Sequence, residues 1–166
     1  VIYLAHGASG NAASMAPYVA GLHKRGLAAT TVALPVGKAE RAIEPYRRQV
    51  DDYSNAVIGG QSFGGRVASL LAAEAVPRAL VLLSYPLHRP GHHQELRTAH
   101  WPSITCPVLL LSGESDPFGR IDLLRDAVRL LPHAQLISYP RVGHGLRAVV
   151  EDALDRVAEF ARETMQ

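Results

Sequence analysis

Apolar residues fall in short runs along this chain, and the segments between the runs follow a second, longer period. Val1–Ala5, Ala28–Leu34, Asn55–Gly59, Ala79–Ser84, Pro107–Ser112 and Ala134–Tyr139 are compact and rich in Val, Ile, Leu and Ala. Runs of this length, bounded by Gly, Pro or polar residues, read as strands buried on both faces. Between them, apolar positions recur every three or four residues. Met15, Val19 and Leu22 mark a helix over Ala12 to Arg25, with Asn11 as its cap and Gly26 as its stop. Ala39–Tyr53 reads as a mostly polar helix that Pro45 kinks or breaks. Val67, Leu70 and Leu71 place a helix after Ser62 that ends before Pro77. Arg120–Leu131 is closed by Pro132, and Leu146–Glu163 carries Val150, Leu154, Val157 and Ala161 on one face. Tyr85–Cys106 is Pro- and His-rich and has no clear period. It is expected to be a long solvated connection with a helical turn or two, and the only candidate lid.

Six strands alternating with helices predict a three-layer α/β fold. Its sheet should be mostly parallel, with helices on both faces, in a single domain over residues 1–166 with no large cap. Ligands of such sheets bind beyond the carboxyl ends of the strands. Chemistry is therefore expected in the loops at 6–10, 35–38, 60–64, 85–106, 113–118 and 140–145.

The loop after the third strand is Gly60-Gln61-Ser62-Phe63-Gly64. This G-x-S-x-G pattern, between a strand and a helix, is that of a strained turn projecting a nucleophilic serine. A serine hydroxyl needs a base to take its proton, and an imidazole base needs an acceptor on its other nitrogen. His144 lies between two glycines after the last strand, and Asp116 follows the strand before it. Ser62, Asp116 and His144 thus appear in the order Ser, Asp, His, each after a strand. Glu114 is the rival acid. The backbone N–H groups of Phe63 and of Ala8, with Ser9 next, are the expected oxyanion donors. His6 is expected to be structural, bonded to backbone. Ser84 also ends a strand, but no acid follows it closely.

Composition narrows the function further. Seventeen basic and fifteen acidic residues give a net charge of +2, without a basic block. No nucleic-acid partner is expected. No apolar run nears the ~20 residues of a membrane span, so no membrane partner is expected either. Cys106 is the single cysteine, which excludes an internal disulfide and favours a reducing compartment, the cytoplasm. The chain opens on a strand without a charged leader, so no signal peptide is expected, leaving open a trimmed upstream segment. His88, His92, His93 and His100 match no zinc spacing, so neither metal nor cofactor is expected. Cys106 reads as a small buried apolar residue. Arg66 and Arg97 could meet an acidic substrate group, exposed arginines being the default. Trp101 either lines the pocket or plugs the connection.

His6-Gly7, Gly60–Arg66, Ser84-Tyr85-Pro86-Leu87-His88, Gly113–Gly119 and Gly143-His144-Gly145 together resemble the α/β-hydrolase superfamily. The likeness spans nearly the whole chain. More narrowly, they resemble a dienelactone-hydrolase-like branch. That branch includes the testis-expressed hydrolase-like proteins and a subunit of the nonspecific-lethal histone-acetyltransferase complex. The resemblance implies Ser62, Asp116 and His144 as nucleophile, acid and base. There are two departures. The first two strands of the full fold are missing or lie upstream of Val1, and dienelactone hydrolases proper carry cysteine where Ser62 stands. The expected activity is hydrolysis of a small-molecule acyl substrate, a short ester, by a serine hydrolase. Thioester or peptide cleavage is a weaker variant, and the alternative is a non-catalytic binding or scaffold protein on the same fold.

Overall fold

A computed structural model describes residues 1–166. All six expected strands form: β1 (Ile2–Ala5), β2 (Ala29–Val32), β3 (Val57–Gln61), β4 (Ala79–Leu83), β5 (Val108–Gly113) and β6 (Ala134–Tyr139). They make one sheet in the order β2-β1-β3-β4-β5-β6, and every pairing is parallel. The helices are α1 (Ala16–Lys24), α2 (Ala39–Arg48), α3 (Phe63–Glu74), α4 (Ile121–Ala127) and α5 (Val150–Thr164). No helix is long and apolar enough to cross a membrane.

Alternation along the strands divides the apolar residues between two cores. Leu80, Leu82, Ile58 and Leu110 pack with Ala42 and Tyr46 of α2, Val67 and Leu71 of α3, and Leu124 of α4. Val81, Leu83, Val57 and Leu109 pack with Leu22 of α1 and Leu154 and Val157 of α5. Leu80 to Leu83 are wholly buried although they point alternately to opposite faces. Burying each contributes about 2 kcal/mol, which only a sheet covered on both sides can supply.

From β1 the chain steps outward to β2, then returns to lay β3 on the other side of β1. That reversal opens a crevice between the loops leaving β1 and β3, the usual ligand position in such a sheet. The β1 loop holds Ala8 and the β3 loop holds Ser62.

Two segments depart from the sequence pattern. The polar helix stops at Arg48, and Tyr53 falls in a separate 3-10 turn at Tyr53–Asn55. Pro45 sits inside α2 without ending it. Burial holds this helix together: Tyr46 is fully buried, and its hydroxyl donates to the Gly59 carbonyl at 2.7 Å and accepts from the Gly59 N–H at 2.9 Å. The 85–106 connection is only in part the solvated loop expected. Tyr85, Leu87, His88, Trp101, Ile104 and Cys106 are all buried, whereas residues 89–96, Ala99, Pro102, Ser103 and Thr105 are exposed. Trp101 plugs the connection, its ring edge-on to Tyr85 with centroids 5.0 Å apart.

Candidate active site

The loop from β3 to α3 turns too sharply for ordinary backbone. Ser62 has φ 51° and ψ −119°, a conformation that side chains rarely adopt. Hydrogen bonds hold it on both sides, Ser62 N–H to the Leu83 carbonyl at 2.8 Å and Arg66 N–H to the Ser62 carbonyl at 3.0 Å. A Cβ on Gly60 would lie 2.7 Å from the Ala5 carbonyl oxygen, and one on Gly64 2.5 Å from the same atom. The two glycines let α3 start against the end of β1 and thrust the serine above the sheet.

The hydroxyl meets residues from two other loops. Ser62 Oγ lies 2.8 Å from His144 Nε2, and His144 Nδ1 lies 2.8 Å from Asp116 Oδ2. An ionised Asp116 accepts, so Nδ1 carries the imidazole proton and Nε2 is left to accept from the serine. The Asp116 side chain is 1% exposed and that of His144 30%, so the acid is sealed while the base reaches solvent. Asp116 Oδ1 accepts the Phe118 N–H at 2.8 Å. A buried carboxylate needs both partners to offset its desolvation.

The loop bearing His144 is tied to the strand that bears the acid. Ser115 N–H donates to the Val142 carbonyl at 2.9 Å, and Glu114 N–H to the Tyr139 carbonyl at 2.9 Å. Glu114, the rival acid, faces elsewhere: it accepts from Ser138 Oγ at 2.8 Å and lies 3.6 Å from Arg125. Phe118 packs its ring on the imidazole, centroids 4.5 Å apart. Nothing in the sequence singles out Phe118 beyond its position two residues after the acid.

Ala8 and Phe63 border the same cavity as Ser62, a space of about 360 Å³. Phe63 opens α3, so its N–H has no acceptor within the helix. Arg66, Arg97, Lys38 and Glu40 also line this cavity. Both arginines are half-buried rather than exposed.

His6, His88 and His100 are engaged elsewhere. His6 Nε2 accepts the Leu34 N–H at 2.9 Å, and its Nδ1 donates to the Gly7 carbonyl at 2.8 Å. His6 thus pins the β1 loop to the end of β2. His88 Nε2 accepts the Arg120 N–H at 3.0 Å. His100 Nε2 contacts Ser69 Oγ at 2.7 Å, and burial, aided by Arg66, pushes the imidazole down to about 4. No group of three or more His, Cys, Asp or Glu side chains is arranged to hold a metal ion. Cys106 is buried, and burial pushes its thiol up to about 11, far from a reactive thiolate.

A parallel sheet with helices on both faces and a serine on a strand-to-helix elbow defines the α/β-hydrolase class of fold. The alpha/beta hydrolase domain family matches residues 33–165, and the chain belongs to it. Solved structures share the whole architecture at low identity. Est1E from Butyrivibrio proteoclasticus, solved with ferulic acid bound, is 16% identical with a TM-score of 0.77, covering 99% of this chain and 88% of that one. A monoacylglycerol lipase from Paleococcus ferrophilus is 13% identical with a TM-score of 0.84, covering 98% and 94%. An E-2-(acetamidomethylene)succinate hydrolase is 15% identical with a TM-score of 0.82, covering 98% and 91%. At these identities the likeness is one of fold, and family membership supports a hydrolase.

Proposed function

We propose that the protein is a serine hydrolase that cleaves small carboxylic esters without a cofactor. One observation carries the reading: Ser62, His144 and Asp116 are linked by two hydrogen bonds of 2.8 Å beside an open cavity. In the proposed reaction Ser62 Oγ attacks the ester carbonyl while His144 Nε2 takes its proton. The carbonyl oxygen, now negative, is held by the N–H groups of Phe63 and Ala8. Collapse expels the alcohol, protonated by His144, and leaves an acyl-serine. Water, deprotonated by His144, attacks that ester and releases the acid, restoring Ser62. Asp116 stays ionised throughout and orients the imidazole.

The absence of a large cap and a cavity of about 360 Å³ favour short acyl groups over long lipid chains. The monoacylglycerol lipase and the succinate-derivative hydrolase that share the fold support hydrolysis in general terms. Within the family, Tyr85-Pro86-Leu87 and Asp116-Pro117-Phe118-Gly119 favour the dienelactone-hydrolase-like branch, and a single buried cysteine favours the cytoplasm.

A 4-nitrophenyl ester series of increasing acyl length, run with wild type and Ser62→Ala, tests the reading. Turnover should peak at short acyl chains and vanish in Ser62→Ala. Equal rates in the two proteins would overturn the mechanism. No turnover on any ester or thioester would favour a binding role on the same fold.

A further inference from the structure

The cavity beside Ser62 carries an excess of positive charge that no group of the protein neutralises. Lys38, Arg66 and Arg97 line it against a single carboxylate, Glu40. Three arginines elsewhere in the chain, none of them lining this cavity, meet acids closely. Arg25 lies 2.9 Å from both Glu151 and Asp155, Arg89 lies 2.8 Å from Glu95, and Arg120 lies 2.8 Å from Asp122. Arg97 meets no acid at all, and its guanidinium makes one long hydrogen bond, Nη1 to the Pro86 carbonyl at 3.3 Å. Arg66 reaches only Glu40, at 3.5 Å, and that carboxylate is 62% exposed. The Nε of Arg66 is buried with no partner, while the whole side chain is 23% exposed.

Both groups stand on fixed backbone. Arg66 lies one turn beyond Ser62 in α3. Arg97 is held from two sides, its N–H donating to the Leu87 carbonyl at 2.8 Å and its carbonyl accepting from the Tyr85 hydroxyl at 2.7 Å. Burial, then the charge of Arg66, lowers the Arg97 guanidinium from its ordinary value. Two partly dehydrated cations held near one another, with a single exposed carboxylate beside one of them and none beside the other, are poorly compensated. A planar carboxylate between them would repair both deficits, since each guanidinium presents paired donors. His100, neutral at pH 7 because its imidazole is pushed down to about 4, adds no charge to this wall.

We propose that the substrate is an ester carrying a carboxylate, which Arg66 and Arg97 bind while the ester carbonyl lies over Ser62. The proposal rests on the hydrolase reading above for its reaction and on the arginines for its specificity. Hydrolysis of such an ester yields an alcohol and a second carboxylate, with one proton released at neutral pH.

Paired substrates test it. The 4-nitrophenyl monoester of glutaric acid is compared with 4-nitrophenyl valerate, a neutral ester of equal chain length. O-acetyl lactate is compared with its methyl ester, which places the charge on the alcohol side; here acetate release is followed. For at least one pair, kcat/KM should favour the anion by about tenfold or more, and the preference should shrink with added salt. Arg97→Gln should remove that preference, bringing kcat/KM for the anionic ester down to that of its neutral partner. Binding of free glutarate to Ser62→Ala, read by calorimetry, should weaken at least about fivefold when Arg97→Gln is added. Glu40→Gln, which frees Arg66, should tighten it. Neutral esters turned over with no preference in either pair, and no glutarate binding, would overturn the proposal and leave the hydrolase reading standing. Glutarate bound through Arg97 without turnover of any ester would sink the hydrolase reading and leave an anion-binding site.

Discussion

On one side of the cavity Ser62, His144 and Asp116 are joined end to end by hydrogen bonds, and the second oxygen of Asp116 is taken by Phe118 N–H. On the other, Arg66 and Arg97 keep most of their guanidinium donors unpaired. Of the relay only Ser62 lines the cavity that the two arginines share, yet the relay is internally complete and the basic wall is not. A relay that moves a proton must be aligned before substrate arrives, so its bonds are made within the protein. A group that recognises a ligand must leave donors free until the ligand comes. Completeness on the first wall and deficit on the second are what a division into chemistry and recognition predicts.

The sharpest break is on the complete wall. His144→Ala should lower kcat by about five orders of magnitude, because neither the serine nor the water then has a base. Steady-state hydrolysis of a short 4-nitrophenyl ester reads it. Asp116→Asn comes next, at about 10³- to 10⁴-fold, because an amide can donate to Nδ1 and turn the imidazole to the wrong tautomer. KM should change little in that variant, which separates a failure of the relay from a failure of binding.

The second wall can be loosened from behind. Trp101 is fully buried against Tyr85, the residue whose hydroxyl holds the Arg97 carbonyl. Trp101→Ala should cost about 3–5 kcal/mol in chemical denaturation, through the cavity it leaves. Tyr85→Phe is the milder probe at about 1 kcal/mol, and it should disturb the basic wall while sparing the relay.

The smallest effect is on pH dependence. His100 has an ordinary value of 6.5, pushed down to about 4 by burial and then by Arg66. Between these values an unfolded chain takes up a proton that the folded chain refuses, so stability falls as pH falls from 6.5 towards 4. His100→Gln removes that contribution, and its melting temperature should decline less steeply than that of wild type across the window.

The two walls were not equally legible in the sequence. Each member of the relay follows a strand, and strand runs are the plainest apolar pattern in the chain. Local chemistry reinforced them, as glycines flank Ser62 by two residues and His144 directly. The choice of Asp116 over Glu114 was not legible with the same clarity, since two residues of loop decide which carboxylate turns inward. The basic wall was harder still. The direction of Arg97 depends on a connection without a period, whose Trp and Tyr fold under it through contacts that leave no local mark. Pro45 does not break α2, because its local tendency to interrupt a helix is outweighed by the burial of Tyr46 next to it.

The central claim is that Ser62 is a nucleophile activated by its neighbours, and covalent trapping tests it most directly. Incubated with a fluorophosphonate and weighed by intact-mass spectrometry, wild type should gain a single phosphonyl group on the peptide containing Ser62. Ser62→Ala should gain none, and His144→Ala should react far more slowly. Equal labelling of wild type and Ser62→Ala, or an adduct on a different residue, would contradict the account.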